Sequence, residues 1–471
     1  MSVNRREFLR GAAGVSAAAL ASTVSCSKVH INAGDGTLPI PELSGIEHVV
    51  VVMMENRSFD HMLGWLPNAN GRQAGLSFPD KNGNAQPTER LDFYVGCTHP
   101  DPNHTYAGGR TGINGGKMDG WLRTGANDSF SIGYYEEADL PLFAALARNF
   151  TTLDNYFSSI LTSTTPNRIF QHSAQTDRLS NTNDLCTLPT IWDRLLAAGV
   201  SCHYYYSNVP YLAVWGTKYL GISSLYEQFT VDAASGGLPA VSFVDPAFTL
   251  LDDGTGADDH PHADMRNGEL FLRNVITTLA ASPHWKSTVL VINRDEWGGF
   301  FDHVAPPRVI APNAVDTDLV DGKALLGCRV PTLIVSPFAR GNPASPRVNS
   351  LLYDHTSVLK LIEWRWGLEP LTARDASNEV ANLASALAFS VEDTSVPALP
   401  VIAESPTESC TSSVTSALQG GGRVEIDSGK AIELARVGNR TGLGDESYDF
   451  YLLLKSERMA GWRLPANLRE K

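Results

Sequence analysis

Glu55 and Asn56 stand where an apolar run from Val49 to Met54 gives way to Arg57-Ser58-Phe59-Asp60-His61. Both side chains offer hard oxygen ligands. The run itself reads as a strand buried on both faces, as in a parallel sheet covered by helices. In open α/β sheets ligands bind beyond the carboxyl ends of the strands, so Glu55 and Asn56 are expected at the reactive edge. A second acidic pair, Asp295 and Glu296, follows the apolar run Val289 to Ile292 and precedes Gly298-Gly299. Adjacent carboxylates in a half-buried pocket repel each other, and a cation is the usual remedy. A helix cap and a surface ion pair with Arg294 or Arg308 are their alternative roles. The third group is rich in hydroxyls, Thr162-Ser163-Thr164-Thr165 ahead of Pro166-Asn167-Arg168. Taken alone it is a turn or a helix cap. Bound to a divalent ion, however, the Thr164 hydroxyl would give up its proton near neutral pH and become the nucleophile for a covalent phospho-enzyme.

Histidines complete the set: His104 in Asp101-Pro102-Asn103-His104, His260 and His262 among Asp258, Asp259 and Asp264, and His355 after Asp354. A neutral imidazole can hold a metal, and a protonated one can bind a phosphoryl oxygen or pass a proton to a leaving alcohol. Carboxylates beside imidazoles fix the tautomer and strengthen such ligands.

The elements that must position these groups alternate between strand and helix signals, the mark of an α/β fold. Strands are predicted over Val241 to Asp245, Ser287 to Asn293 and Val330 to Ser336, and through Tyr204-Tyr205-Tyr206. Helices are predicted over Pro189 to Gly199, Gly268 to Leu279 and Thr356 to Trp366. The Ser, Thr and Gly of residues 405–422 predict a flexible surface segment. The last thirty or so residues, apolar and aromatic from Tyr448 to Leu454, are expected to pack back on the body. No repeat of fixed period is present.

Asn4-Arg5-Arg6-Glu7-Phe8-Leu9-Arg10, then Gly11 to Leu20 and the small-x-small signal Ala19-Leu20-Ala21, read as a twin-arginine export peptide. The expected partner is the Tat machinery and the expected location periplasmic or secreted, with acylation of Cys26 a lesser option. No segment is long and apolar enough to cross a bilayer. Cys97, Cys186, Cys202, Cys328 and Cys410 are too sparse for a disulfide framework, although one or two bridges fit an oxidising compartment. Stability must come from a large core, which 43% hydrophobic and 19% charged residues allow. The formal charge is −14, and cleaving off Arg5, Arg6, Glu7 and Arg10 leaves −16. So acidic a chain is repelled by nucleic-acid backbones and anionic bilayers, while a zwitterionic lipid or a small phosphate ester on a local cationic site is compatible with it.

Glu55 to His61, Thr164-Thr165-Pro166-Asn167-Arg168, His260-Pro261, Asp295 to Val304 and Asp354-His355-Thr356-Ser357 resemble, in order, the bacterial phosphoesterase family of non-haemolytic phospholipases C and acid phosphatases. The resemblance runs from about Gly45 to Leu368. It implies an alkaline-phosphatase-like α/β sandwich, with a central mainly parallel sheet between helices and a metal site at its carboxyl edge. It implies that Glu55, Asn56, Thr164, Asp295 and Glu296 hold a divalent metal, with Ca, Mg, Mn and Zn all open, and that Thr164 is the nucleophile. His104, His260 and His355 match positions that surround the phosphate. Trp297 stands where many relatives carry His, and His262 where many carry a second Pro. The organisation implied is an export peptide over 1–21, a catalytic domain over 45–400 and a C-terminal extension over 401–471. Phospholipase C is expected ahead of acid phosphatase, and Tyr204, Tyr205, Tyr206, Tyr211 and Trp215 are either packing or a cage for choline. A phosphate-ester-binding protein without turnover is the alternative from another class. A sulfatase-like esterase lacks its Cys or Ser nucleophile context at Thr164.

Overall fold

In strand β1 (His48–Met54) every residue is buried, with Val49 and Val51 in one apolar cluster and Val50, Val52 and Met54 in another. Successive side chains of a strand point to opposite faces, so a sheet covered on both sides needs an unbroken apolar run, as this sequence supplies. The structure, a computed structural model, describes residues 38–250, 255–390, 392–403 and 445–468. The export peptide read over 1–21, Cys26 and the polar segment 405–422 lie outside the described residues.

The other strands of the main sheet are β2 (Thr151–Leu153), β3 (Cys202–Tyr206), β4 (Ser223–Leu225), β5 (Val241–Asp245), β6 (Thr288–Arg294), β7 (Thr332–Val335) and β8 (Arg347–Asn349). They form one eight-stranded sheet in the order β8-β2-β7-β6-β1-β5-β3-β4. Only β7 runs against its neighbours; all the other strands share one direction. The expected mainly parallel α/β sheet is therefore present. The direction of β7 was not readable, because an apolar run carries no polarity.

Helix α1 (Pro141–Asn149) and helix α3 (Met265–Ala281) cover the face of Val50 and Val52 through Leu142, Phe143, Leu146, Leu272, Val275 and Ile276. Helix α2 (Thr164–Ser173) and helix α4 (His355–Trp366) cover the other through Ile169, Val358, Leu359 and Ile362. Each such buried aliphatic side chain contributes roughly 1.5–3 kcal/mol. The helix starts follow their capping residues. Asp264 accepts from the Arg266 N–H, and Asp354 accepts from the Thr356 N–H while Ser357 completes a capping box. Beyond the sheet, Phe450 of helix α5 (Asp445–Lys455) stacks on Phe248 at 3.9 Å. Among the described residues no helix is long and apolar enough to cross a membrane. Cys97 is disulfide-bonded, whereas Cys186, Cys202 and Cys328 are buried free thiols.

His172 on α2 is buried among Trp192, Tyr211, Trp215 and Phe243, at 5.0–6.1 Å between ring centres. Burial, with the Arg168 charge adding to it, pushes its pKa down to about 3. The unfolded chain takes up a proton there below about pH 6.5 while the folded chain does not, so this residue costs stability as the medium is acidified from pH 6.5 towards 3. In urea titrations across that range, the stability difference between wild type and His172→Phe is expected to move steadily in favour of the variant. A pH-independent difference would rule out a neutral His172.

Candidate active site

β1 and β6 are parallel neighbours whose last pair in register is Met54 with Arg294, so Glu55-Asn56 and Asp295-Glu296 emerge side by side. The Asp295 N–H donates to the Met54 carbonyl at 3.2 Å, and the Asn56 N–H donates to Asp295 Oδ1 at 3.1 Å. Asn56 sits at a left-handed φ of 52°, a region that asparagine tolerates better than most residues. The glycines after the acids permit the close approach that follows. A Cβ on Gly298 (φ +61°) would stand 2.0 Å from the Asn56 carbonyl oxygen, and one on Gly299 (φ +71°) 2.5 Å from the Pro102 backbone. Two β-carbons would thus force apart the exit of β1, the acidic pair and the loop that carries His104.

The hydroxyl cluster is the first turn of a helix, with Ser163 as the residue before it and Thr164 as its first residue. Pro166 fits there because the first-turn N–H groups have no partner within a helix. The Thr164 hydroxyl donates to Asn56 Oδ1 at 3.4 Å and is close enough to the Asp295 carboxyl to pull its pKa down. Four residues on, and so on the same face of α2, Arg168 reaches into the same space. Its Nη2 is 3.3 Å from Glu55 Oε1, its Nε 3.4 Å from Asp295 Oδ2 and its Nη1 3.7 Å from Asp245 Oδ1. Phe248, Tyr211 and Phe450 surround the guanidinium at 4.7, 5.8 and 6.0 Å. Burial by itself would lower the Arg168 pKa, but Asp295, Glu55 and Asp245 together raise it, so the group is a permanent cation. Burial raises the pKa of Asp295 against the pull of Arg168, and in the same way raises that of Asp245 to about 6. Arg168 lay within the quoted motif without a role. Its signal was the spacing of four from Thr164, but its carboxylate partners are far away in the chain.

Glu55, Asp245, Asp295 and Glu296 bring four buried carboxylates to this edge, where Arg168 pairs with Glu55, Asp245 and Asp295. Glu55, Asp295 and Glu296 do not converge as a trio within 4.8 Å; such convergence occurs at Asp60-Asp302-His303 and at Glu47-His48-His284. The centre of the first of these groups is taken by Arg329, which pairs with Asp60 at 3.1 Å and Asp302 at 3.0 Å. At the Thr164 edge the donor set is hard oxygen, Asn56 Nδ2 has no hydrogen-bond partner, and Asp295 Oδ2 has none beyond its 3.4 Å ion pair with Arg168. A hard divalent cation fits donors of this kind.

The histidines divide. His260 is fully buried, with its Nε2 3.7 Å from Asp101 Oδ2 and its backbone N–H on Asp258 Oδ1. Asp258 in turn accepts the Glu55 N–H on its carbonyl at 2.7 Å. Arg57 holds this segment from below, donating from Nε to the Asp259 carbonyl and from Nη2 to the His260 carbonyl. His104 Nδ1 donates to the Pro102 carbonyl at 2.6 Å, in the loop against Gly299. His355 departs from the expectation that it faces a phosphate. Its Nε2 is 2.7 Å from the Asp295 carbonyl and its Nδ1 3.2 Å from the Tyr156 hydroxyl. Since a carbonyl only accepts, Nε2 carries the proton and Nδ1 accepts, which occupies both nitrogens within the protein. Burial lowers the His355 pKa to about 4, so it is neutral and holds the backbone of Asp295.

Tyr204, Tyr205, Tyr206, Tyr211 and Trp215 are buried. The tyrosine hydroxyls end on Asp245, Asp232, the Arg463 carbonyl and the Thr165 carbonyl. They are packing, and the cation beside Tyr211 is Arg168. Trp297 is fully buried and packs against Gly109. A narrow cleft opens beside Thr164, lined by Asn181, Asn183, Tyr211, Phe450 and Leu453.

The family model described as Phosphoesterase family matches residues 46–369. Non-specific phospholipase C6 of Arabidopsis thaliana is 33% identical over 372 residues, covering 71% of each chain. Phospholipase C A of Mycobacterium tuberculosis is 31% identical over 438 residues, covering 78% of this chain and 82% of its own length. Among solved structures, a protein in the alkaline phosphatase superfamily from Vibrio parahaemolyticus aligns over 70% of this chain and 69% of its own at 11% identity, with a TM-score of 0.33. That overlap is too loose to bear on the chemistry.

Removing Arg168 strands its buried acids. Arg168→Met is expected to lower unfolding stability by about 3–5 kcal/mol in urea titrations. Adding Glu55→Gln to it should restore part of the loss, because one uncompensated charge is removed; an equal or larger loss in the double variant would contradict the ion pair.

Proposed function

The chain belongs to the Phosphoesterase family and is a hydrolase of phosphoric esters, and we propose that it is an exported, metal-dependent phospholipase C that uses Thr164 as its nucleophile. The observation that carries the reading is the meeting of Thr164 Oγ1 with Asn56 and Asp295, three groups from separate segments, at the carboxyl edge of the sheet. Thr164 also opens a ten-residue helix, whose first-turn N–H groups and dipole favour an anion in front of it.

Glu55, Asn56, Thr164, Asp295 and Glu296 would hold the divalent ion, with Ca, Mg, Mn and Zn all compatible with the oxygen donors. When bound, it supplies positive charge to the phosphoryl oxygens and makes the Thr164 hydroxyl more acidic. Thr164 Oγ1 attacks phosphorus in line, its proton passing to the Asp295 carboxylate. The bond from phosphorus to the diacylglycerol oxygen breaks, and that oxygen takes a proton from His104 or His260. Water then attacks the phospho-threonine, giving a proton to the imidazole that lost one, while Asp295 returns its proton to the freed Thr164 oxygen and phosphocholine leaves. Arg168 opposes the burial that raises the Asp295 pKa and holds Glu55 and Asp295 in place, and His355 acts through the Asp295 backbone. Similarity to proteins named phospholipase C supports the lipid diester. Phosphatidylcholine as head group is this reading's own choice, and phosphomonoesters are the alternative. The twin-arginine leader supports Tat export to the periplasm or beyond, and the disulfide at Cys97 fits an oxidising compartment.

Thr164→Ala is expected to lower kcat by about a thousandfold or more with an unchanged melting temperature, whereas Thr164→Ser keeps measurable turnover. Retention of most of the rate by Thr164→Ala would remove Thr164 from the nucleophile role. With phosphatidylcholine, phosphorylcholine and p-nitrophenyl phosphate compared, the lipid should be preferred. Chelation should abolish all three activities and a divalent ion should restore them. Preference for p-nitrophenyl phosphate would turn the reading to an acid phosphatase, and full activity in chelator would end the metal-dependent mechanism.

A further inference from the structure

The amino-terminal edge of the sheet carries a second set of ligand-bearing side chains. Six residues of β1, Val49 to Met54, separate His48 from Glu55, about 20 Å at the rise of a strand. Here one nitrogen from each of His48 and His284 and one carboxylate oxygen of Glu47 lie within 4.8 Å of one another, and the two rings are 4.2 Å apart between centres. His48 Nδ1 is 2.9 Å from the Pro239 carbonyl and His284 Nε2 is 2.9 Å from the Gly236 carbonyl. A carbonyl only accepts, so those two nitrogens carry protons and the lone pairs are left on His48 Nε2 and His284 Nδ1. A backbone carbonyl that takes the proton of one ring nitrogen fixes the tautomer and leaves the other with its lone pair, as at metal-binding histidines.

The rest of the group is held in place. The Ser287 hydroxyl donates to Glu47 Oε2 at 3.0 Å, and the Glu47 N–H donates to the Ser287 carbonyl at 2.9 Å. The turn carrying His284 is tied by the Thr288 hydroxyl on the His284 carbonyl at 2.8 Å and by the His284 N–H on the Ser282 hydroxyl at 3.3 Å. His48 is buried at the start of β1, His284 is half-buried and Glu47 is exposed, so an ion has a way in from solvent.

We propose that Glu47, His48 and His284 form a non-catalytic site for a borderline divalent transition ion of the Zn2+ type, which clamps the amino-terminal end of β1 to the turn that precedes β6. Two imidazoles and one carboxylate select zinc, copper or nickel over calcium and magnesium, and solvent completes the coordination. The clamp joins two adjacent central strands, so its occupancy stabilises the fold increasingly as ion concentration rises.

The test uses the full chain, stripped of metal and titrated with Zn2+ by calorimetry as wild type, His284→Ala and Glu47→Gln. Because the acidic edge at Thr164 can also take up zinc, the readout is the difference between proteins. Wild type is expected to bind one equivalent more than His284→Ala. Glu47→Gln should keep that equivalent at an affinity at least about tenfold weaker, and phosphoester hydrolysis should be the same in all three. Zinc should raise the wild-type melting temperature further than that of His284→Ala. Equal stoichiometry and affinity in wild type and both variants overturn the proposal. If His284→Ala loosens its turn, Glu47→Gln decides alone, since its exposed carboxylate can change without disturbing the fold. Failure here leaves hydrolysis and its dependence on Thr164 untouched.

Discussion

The pairing of one buried guanidinium, Arg168, with carboxylates from three strand ends is the interaction on which this molecule depends. Glu55, Asp245 and Asp295 all lie within 3.7 Å of it. None of these acids could remain ionised in a fully buried setting without compensation, since burial alone would push each towards its neutral form. The cation therefore permits the parallel sheet to end in concentrated negative charge. It also comes from the helix whose first residue is Thr164, so the same rigid element sets both the compensating charge and the reacting hydroxyl.

Around that centre the chain uses buried ion pairs as spacers. Arg329 ties Asp60 to Asp302, joining the segment after β1 to the segment after β6, and Arg294 pairs with Asp259 at 2.6 Å on the far side. Arg57 fixes the carbonyls of Asp259 and His260. Each pair is weak evidence for stability, because desolvation offsets much of the attraction. Each nonetheless makes one register cheaper than any other, because a slip would leave a buried charge alone. Gly298 and Gly299 perform the complementary service, removing side-chain bulk where the segments must touch.

Much of the scaffold was legible in order along the chain. The unbroken apolar runs of β1, β5 and β6 announced a sheet covered on both faces, and Asp354 and the residues after it announced the start of α4. The oxygen-bearing groups were legible as types, because acids and amides directly after a buried strand have one place to go. Less was readable where meaning depends on a partner. The hydroxyl cluster of Thr164 has the composition of a turn or a helix cap, and it opens a buried helix. The tyrosines from Tyr204 onward allow packing or a cage in the sequence, and burial makes them core. His355 stands in a motif that suggests a phosphate contact, yet both its nitrogens serve the protein.

The sequence by itself determined the α/β class, the family and the residue types at the reactive edge, because hydrophobic period and strand-end chemistry are local properties. Only the tertiary structure decided that Arg168 neutralises Glu55, Asp245 and Asp295, that β7 runs antiparallel, and that His355 holds a backbone carbonyl. These are relations between groups far apart in the chain, and burial and charge act through space.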